Sequence, residues 1–201
     1  MLEVVAAAGL GLALGVVTGM PLGVVNVAIV ESASAGDVRF ATRVGIGGAL
    51  ADAVHAVLAF AGFGQVVLAN PAWTRPLAAT AAAIVVAYAV VTWRRRHRDH
   101  AAAAAERGAS GVVVGLSMTL PNPGALAAWV TVAAALWPDI ALADAAVLGA
   151  CVGVGSAVWF GALARFVAKR RDHRAIRAAA RAAAVVLIAL AIAGVARAFV
   201  A

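Results

Sequence analysis

Asp52 and His55 are the residues with the clearest chemical potential, because they lie within an otherwise apolar stretch. A spacing of three puts both side chains on one face of a helix. A carboxylate at the centre of a bilayer costs about 2.5–3.5 kcal/mol on insertion scales, so it usually has a function. We predict that Asp52 binds a substrate ammonium or a coupling proton, and that His55, which titrates near neutral pH, also takes part in proton coupling. The alternative is an Asp–His hydrogen bond that only locks helices together.

Two helix breaks lie at matching places in the chain. A pattern of two glycines and a proline recurs after one hundred positions, at Gly11, Gly15, Pro21, Gly111, Gly115 and Pro121. Proline inside a helix removes a backbone donor and clashes with the preceding turn. Lipid supplies no water to repair this, so broken helices are tolerated where they line a cavity enclosed by protein. Matched breaks in two halves are typical of transporters with a site between repeats. The alternative is a pair of common proline kinks.

Asn122 and Pro123 predict how the second break is built. Asparagine is a favoured N-cap, and proline is favoured at the first helical position. We therefore expect a half-helix to begin at Pro123, with free N–H groups and a positive dipole end that attract a substrate carboxylate. At the first break, carbonyls freed before Pro21 could hold a cation. The predicted substrate-binding residues are Pro21, Gly23, Asp52, Asn122 and Pro123.

These features converge on one depth. At 1.5 Å per residue, Pro21, Asp52 and Pro121 each lie about 15 Å from the cytoplasmic edge, which is half of a hydrocarbon core of about 30 Å. Other polar or bulky residues are weaker candidates. We expect Glu31 to be solvated and Trp129 and Trp159 to be packing residues. Neither a metal site nor a cofactor is predicted.

Composition places these residues in a membrane. The 201 residues are 65% hydrophobic and 12% charged, with a net charge of +7 and a mean hydropathy of +0.99. That apolar fraction is far above that of a soluble domain. The long uncharged runs exclude a soluble nucleic-acid binder despite the basic charge, and the single cysteine, Cys151, excludes an internal disulfide.

Six apolar stretches are each near the ~20 residues that a helix needs to cross the hydrocarbon core. They cover residues 4–30, 41–63, 76–93, 111–136, 140–163 and 182–200. Alternate loops hold 14 of the 16 basic residues, and only Arg75 and Arg197 fall on the other side. Basic loops stay in the cytoplasm, so both termini are predicted to lie outside.

The sequence therefore predicts an all-α integral membrane protein with six transmembrane helices, of which the first and fourth are broken. Residues 1–93 form the first three-helix repeat, residues 94–110 a basic cytoplasmic linker and residues 111–201 the second repeat. Three spans per half is an odd number, so the second repeat is inverted relative to the first. Small residues at four-residue spacing predict close helix packing in spans one and five.

Several of these motifs resemble the lysine-exporter (LysE-type) family of bacterial amino-acid exporters. The resemblance is carried by the run from Thr18 to Asn26 and by Gly36, Arg39, Gly48, Asp52 and Asn122-Pro123. It implies export of amino acids across the plasma membrane, coupled to the proton gradient. The chain departs from the family pattern where Leu22 and Gly23 follow Pro21, where Ala51 precedes Asp52, and where Gly124 replaces a lysine.

The leading hypothesis is a secondary transporter that exports amino acids or similar small zwitterions from bacteria, driven by the proton gradient. A metal-cation exporter using Asp52 and His55 is an alternative, although such a site needs more ligands. A non-transporting scaffold would leave Asp52 and the matched breaks unexplained. No catalytic residue is predicted, because paired carboxylates and a Cys–His pair are missing. Expected partners are the small-molecule substrate, the proton and membrane lipids, and a homo-oligomer is compatible with the sequence.

The charge asymmetry can be tested by labelling. In a Cys151→Ser background, a cysteine introduced at Ala103 in the linker should react with a membrane-impermeant maleimide only from the cytoplasmic side. A cysteine at Trp73, at the predicted outer interface, should react only from outside. The reverse pattern in intact cells would contradict the orientation.

Overall fold

The computed structural model describes residues 2–20, 23–95, 110–137 and 140–170, and the single positions 174, 178, 182, 185 and 189. All regular structure in these residues is helical, as predicted. The helices are α1 (Leu2–Gly19), α2 (Val24–Ser34), α3 (Val38–Phe60), α4 (Phe63–Leu68), α5 (Pro71–Arg95), α6 (Ser110–Thr119), α7 (Pro123–Leu136) and α8 (Leu142–Lys169).

Two helices, α3 with 23 residues and α8 with 28, are each long and apolar enough to cross a membrane. Two bent pairs also qualify if each pair counts as one span: Val4–Gly19 with α2, bent by 68°, and Gly111–Thr119 with α7, bent by 67°. The described residues thus hold two to four candidate spans. Residues 76–93, the third predicted span, lie within α5, which is not among these candidate spans. The linker and the sixth span lie almost entirely outside the described residues, so the six-span inverted arrangement and its repeat boundaries stay predictions.

The two broken helices make the same close contact with the two long ones. Gly15 of α1 lies against the backbone carbonyl of Val152 in α8, and Gly115 of α6 lies against that of Val44 in α3. A Cβ on either glycine would overlap the facing backbone. The glycines are 100 positions apart and their valine partners are 108 positions apart.

The same offsets hold when the glycine is on the long helix. Gly155 of α8 lies against the Leu12 carbonyl of α1, and Gly47 of α3 lies against the Val112 carbonyl of α6. The α1–α8 and α6–α3 contacts are therefore equivalent, with an offset of 100 on the broken helices and 108 on the long ones. Each broken helix packs on the long helix of the other half, so the two halves are interleaved.

This contact predicts which glycines tolerate a methyl group. Gly15→Ala should lower the thermal unfolding midpoint in detergent, because overpacking against a backbone carbonyl costs about 1–3 kcal/mol. Gly9 on the same helix has nothing within 4 Å of its missing Cβ. Gly9→Ala should leave the midpoint unchanged or raise it slightly, since alanine favours helix. Equal loss in both variants would show that the cost does not come from the α1–α8 contact.

Candidate functional site

Asp52 stands where three helices meet. The hydroxyl of Ser156 in α8 lies 2.9 Å from Asp52 Oδ2 in α3 and 3.2 Å from the backbone carbonyl oxygen of Gly15 in α1. Ser156 is 0% exposed, and Asp52 is partly buried. The indole of Trp129 in α7 is a further side-chain hydrogen-bond donor toward the carboxylate. The carboxylate is thus held by polar groups at a helix crossing.

The equivalent place in the other half is apolar. With the offset of the long helices, Asp52 corresponds to Phe160, and Ser156 corresponds to Gly48. A Cβ on Gly48 would lie 3.4 Å from Phe160 Cε2, so the counterpart of the Ser156–Asp52 contact exists without a polar atom. One backbone arrangement therefore carries a polar contact on one side and a hydrocarbon contact on the other.

His55 connects α3 to the second break. Its Nε2 lies 3.0 Å from the backbone carbonyl oxygen of Leu120, and the side chain is only 2% exposed. A carbonyl only accepts, so Nε2 carries the hydrogen, and in the neutral ring Nδ1 is an acceptor. Nδ1 is buried and has no hydrogen-bond partner among the described residues. Asp52 therefore bonds to α8 and His55 to the second break, and the Asp–His bond considered from the sequence is not formed.

Asn122 caps the second half-helix as predicted. It is extended (φ −84°, ψ 104°), and its Oδ1 accepts a hydrogen bond from Gly124 N–H at 2.9 Å. Pro123 is the first residue of α7. The break itself is thus confirmed, and it arises from an asparagine cap next to a proline without a backbone donor.

The expectation of free N–H groups at this helix start is wrong. The N–H groups of Ala125 and Leu126 both donate to the Asn122 carbonyl, at 3.1 and 3.3 Å. Gly124 N–H is taken by the cap and Pro123 has no N–H. An anion here would meet the helix dipole and the side-chain NH₂ of Asn122, which carries two donors.

The first break is closed by a residue that sequence reasoning did not single out. Asn26 of α2 is buried, and its Nδ2 donates to the carbonyl of Gly19, the last residue of α1, at 2.7 Å. Its Oδ1 accepts from Trp159 Nε1 of α8 at 3.3 Å. Trp159 therefore positions a polar side chain as well as packing. The only sign of this role in the sequence is an amide side chain within an apolar run.

Two of the carbonyls before Pro21, where a cation was expected, already accept hydrogen bonds. The Gly19 carbonyl is occupied by Asn26, and the Val17 carbonyl accepts from Met20 N–H at 3.3 Å. Gly23 is exposed and precedes α2 without a side-chain cap. Pro21 itself lies outside the described residues.

Glu31 is buried rather than solvated. It is 9% exposed, and the Tyr88 hydroxyl of α5 donates to its Oε2 at 3.4 Å. The Ser32 hydroxyl lies 3.4 Å from the same tyrosine oxygen. The contact joins α2 to α5, which no spacing in the sequence indicates.

The described residues contain no group of three histidine, cysteine, aspartate or glutamate side chains that could hold a metal ion. The metal-cation alternative therefore gains no support from this part of the chain.

Comparison with known proteins decides the family. The family model for the LysE type translocator matches residues 16–201, which include both breaks, Asp52 and His55. The chain belongs to the LysE type translocator family. No curated protein and no solved structure matches it. Membership and the apolar helices make this translocator a multi-pass membrane transport protein, and the family points to a small-molecule transporter rather than an enzyme.

Proposed function

We propose that this translocator exports amino acids or similar small zwitterions across the bacterial plasma membrane, driven by the proton gradient, with both termini outside. The observation that carries the proposal is Asp52. It is a carboxylate at the crossing of α3, α8 and α1, and its counterpart position in the other half is Phe160. An acidic group kept on one side only of a repeated scaffold is costly in a membrane and is best explained by function.

Two ends of a zwitterion need two different partners. Asp52 would bind the ammonium group, and Asn122 would bind the carboxylate through its side-chain NH₂, assisted by the positive end of the α7 dipole. His55 links the two places, because it lies one turn after Asp52 and bonds to Leu120, two residues before Asn122. Pro123 and Gly23 would shape the backbone beside the substrate, and Pro21 would do the same at the first break.

A single carboxylate that binds either a proton or the cargo would allow the two to be exchanged. Asp52 attracts an ammonium group only when it is ionised, so a bound proton and a bound cationic group exclude each other there. His55, with an acceptor nitrogen, would assist proton movement. Alternating access would come from rocking of the two repeats around this site.

The metal-cation exporter and the non-transporting scaffold each fit the contacts of Asp52 less well. A metal-cation exporter would need Asp52 and His55 to bind the same metal ion, but Asp52 contacts Ser156 of α8 and His55 contacts Leu120 at the second break. A non-transporting scaffold has no use for a carboxylate at this depth.

Asp52→Asn is the direct test. The variant keeps the shape of the side chain but removes its charge and titration, so it should insert normally and lose proton-driven export. His55→Ala should impair export less, since it removes a relay and not the shared site. The measurement is efflux of a panel of radiolabelled amino acids and cations from proteoliposomes under an imposed proton gradient.

Transport by Asp52→Asn at the wild-type rate with an unchanged pH profile would make Asp52 a structural residue. A cation as the preferred cargo would replace the amino-acid proposal with the metal-exporter one.

Asn122→Ala tests the carboxylate end against a matched control. Losing the cap should cost about 1 kcal/mol of stability. Asn70 caps the start of α5 in the same way, its Oδ1 accepting from Ala72 N–H at 2.9 Å. Asn70→Ala should therefore cost a similar amount, while only Asn122→Ala should weaken export of the identified cargo. Equal export in two equally destabilised variants would limit Asn122 to a structural cap.

A further inference from the structure

Ser156 makes two contacts that its single hydrogen cannot serve together. Its Oγ lies 2.9 Å from Asp52 Oδ2 and 3.2 Å from the Gly15 carbonyl oxygen. A hydroxyl has one donor and two acceptor positions, whereas a carbonyl oxygen and an ionised carboxylate only accept. With Asp52 ionised, one of the two contacts would therefore lack a hydrogen.

A protonated Asp52 resolves the conflict. Asp52 Oδ2–H then donates to Ser156 Oγ, and Ser156 Oγ–H donates to the Gly15 carbonyl. When the proton leaves Asp52, the Ser156 hydroxyl turns to donate to the carboxylate, since a hydrogen bond to a charged acceptor is the stronger one. The Gly15 carbonyl then keeps its partner within α1 but loses its bond to α8.

We propose that Ser156 is a positioning residue that transmits the protonation of Asp52 to α1. The α1–α8 contact contains the hydrogen bond from Ser156 to the Gly15 carbonyl when Asp52 is protonated and loses it when Asp52 is ionised. The proposal rests on the proposed role of Asp52 as the proton-coupling group. It adds a residue through which the proton acts on the broken first helix.

The repeated scaffold confines the effect to one contact. At the equivalent α6–α3 contact Gly115 faces Val44 and Gly48, and Gly48 has no hydroxyl. The α6–α3 contact therefore cannot respond to a proton in this way. A proton on Asp52 would change one of two equivalent helix contacts, which gives the rocking motion a direction.

The other titratable groups have other partners or lie further along the helices. On α3 His55 is one turn from Asp52 but bonds to Leu120, and Arg43 and Arg39 are nine and thirteen residues from Asp52, about 13.5 and 19.5 Å along the axis. On α2 Glu31 bonds to Tyr88 of α5. Helices α4, α6 and α7 carry no acidic, basic, histidine or cysteine side chain. On α8, Cys151 is five residues from Ser156, about 7.5 Å along the axis, and Arg165 is nine residues away, about 13.5 Å. The remaining groups on α8 and α1 are nearer the helix ends: Asp144, Lys169 and Glu3.

The native Cys151 provides the readout. A Cβ on Gly11 of α1 would lie 2.9 Å from Cys151 Cβ, so this thiol sits at the α1–α8 contact one turn from the relay. It is the only cysteine in the chain, so alkylation reports this contact alone. The rate of reaction with N-ethylmaleimide is measured against pH in proteoliposomes of the full chain, with no substrate and no gradient.

Asp52→Asn is the reference, because its amide donates to Ser156 at every pH. Dividing by its rate removes the pH dependence of the alkylation reaction itself. The wild-type rate divided by the Asp52→Asn rate should rise about fivefold between acidic and alkaline pH, as expected for the loss of one hydrogen bond. The Ser156→Ala rate divided by the Asp52→Asn rate should not change with pH. Ser156→Gly, which copies the residue used at Gly48, should also give a flat ratio and covers the case in which alanine does not fold.

Ser117→Ala is the matched control. Ser117 Oγ donates to Val114 O within its own helix at 3.0 Å, so this variant should keep the wild-type rise. A flat wild-type ratio, or a rise that survives in both Ser156 variants, would overturn the proposal. Failure of export with the pH response intact would instead count against the proposed cargo, since the labelling assay contains none.

Discussion

The absence of water inside a bilayer is the constraint on which the rest of this structure depends. A helix broken in hydrocarbon leaves backbone groups that only protein can satisfy. Each break here is closed by side chains. Asn26 bonds to the Gly19 carbonyl at the end of α1, His55 bonds to the Leu120 carbonyl after α6, and Asn122 caps α7. His55 reaches the second break from α3, and Trp159 of α8 holds Asn26 at the first, so closing the breaks depends on packing against the long helices. The long helices α3 and α8 are the partners against which the broken helices pack.

The two equivalent helix contacts share one backbone arrangement but carry different side chains. The glycine contacts of α1 with α8 recur between α6 and α3 at constant offsets, so two equivalent sites exist at the level of the main chain. Their side chains differ. Where one site has Asp52 and Ser156, the other has Phe160 and Gly48. Filling the second site with hydrocarbon avoids the cost of a second buried charge at that crossing.

The sequence predicted what local rules determine. Proline chemistry and the N-cap preference of asparagine located the second break and the start of α7, and a three-residue spacing put Asp52 and His55 on one face of α3. Two features that the sequence did not reveal depend on distant partners. Ser156 is not among the residues singled out from the sequence, because its contacts form only when α1 and α3 are both packed on α8. Glu31 looked solvated because Tyr88, which binds it, is 57 positions away. The free N–H groups expected at α7 were wrong for a local reason: Asn122 uses both its side chain and its carbonyl to satisfy them.

The two breaks differ in how completely their polar groups are satisfied, and this difference bears on where a ligand binds. At the first break the Gly19 carbonyl and both ends of the Asn26 amide have partners. At the second, His55 Nδ1 and the Thr119 hydroxyl are buried without a partner in the described part of the chain. Such a group costs about 1–3 kcal/mol, and native proteins keep few of them. A polar ligand or ordered water that reached the second break would recover that cost, whereas at the first break the described Gly19 carbonyl and Asn26 amide already have partners. The cost therefore favours the second break as the ligand-facing one, which is the end at which binding of a substrate carboxylate by Asn122 is proposed.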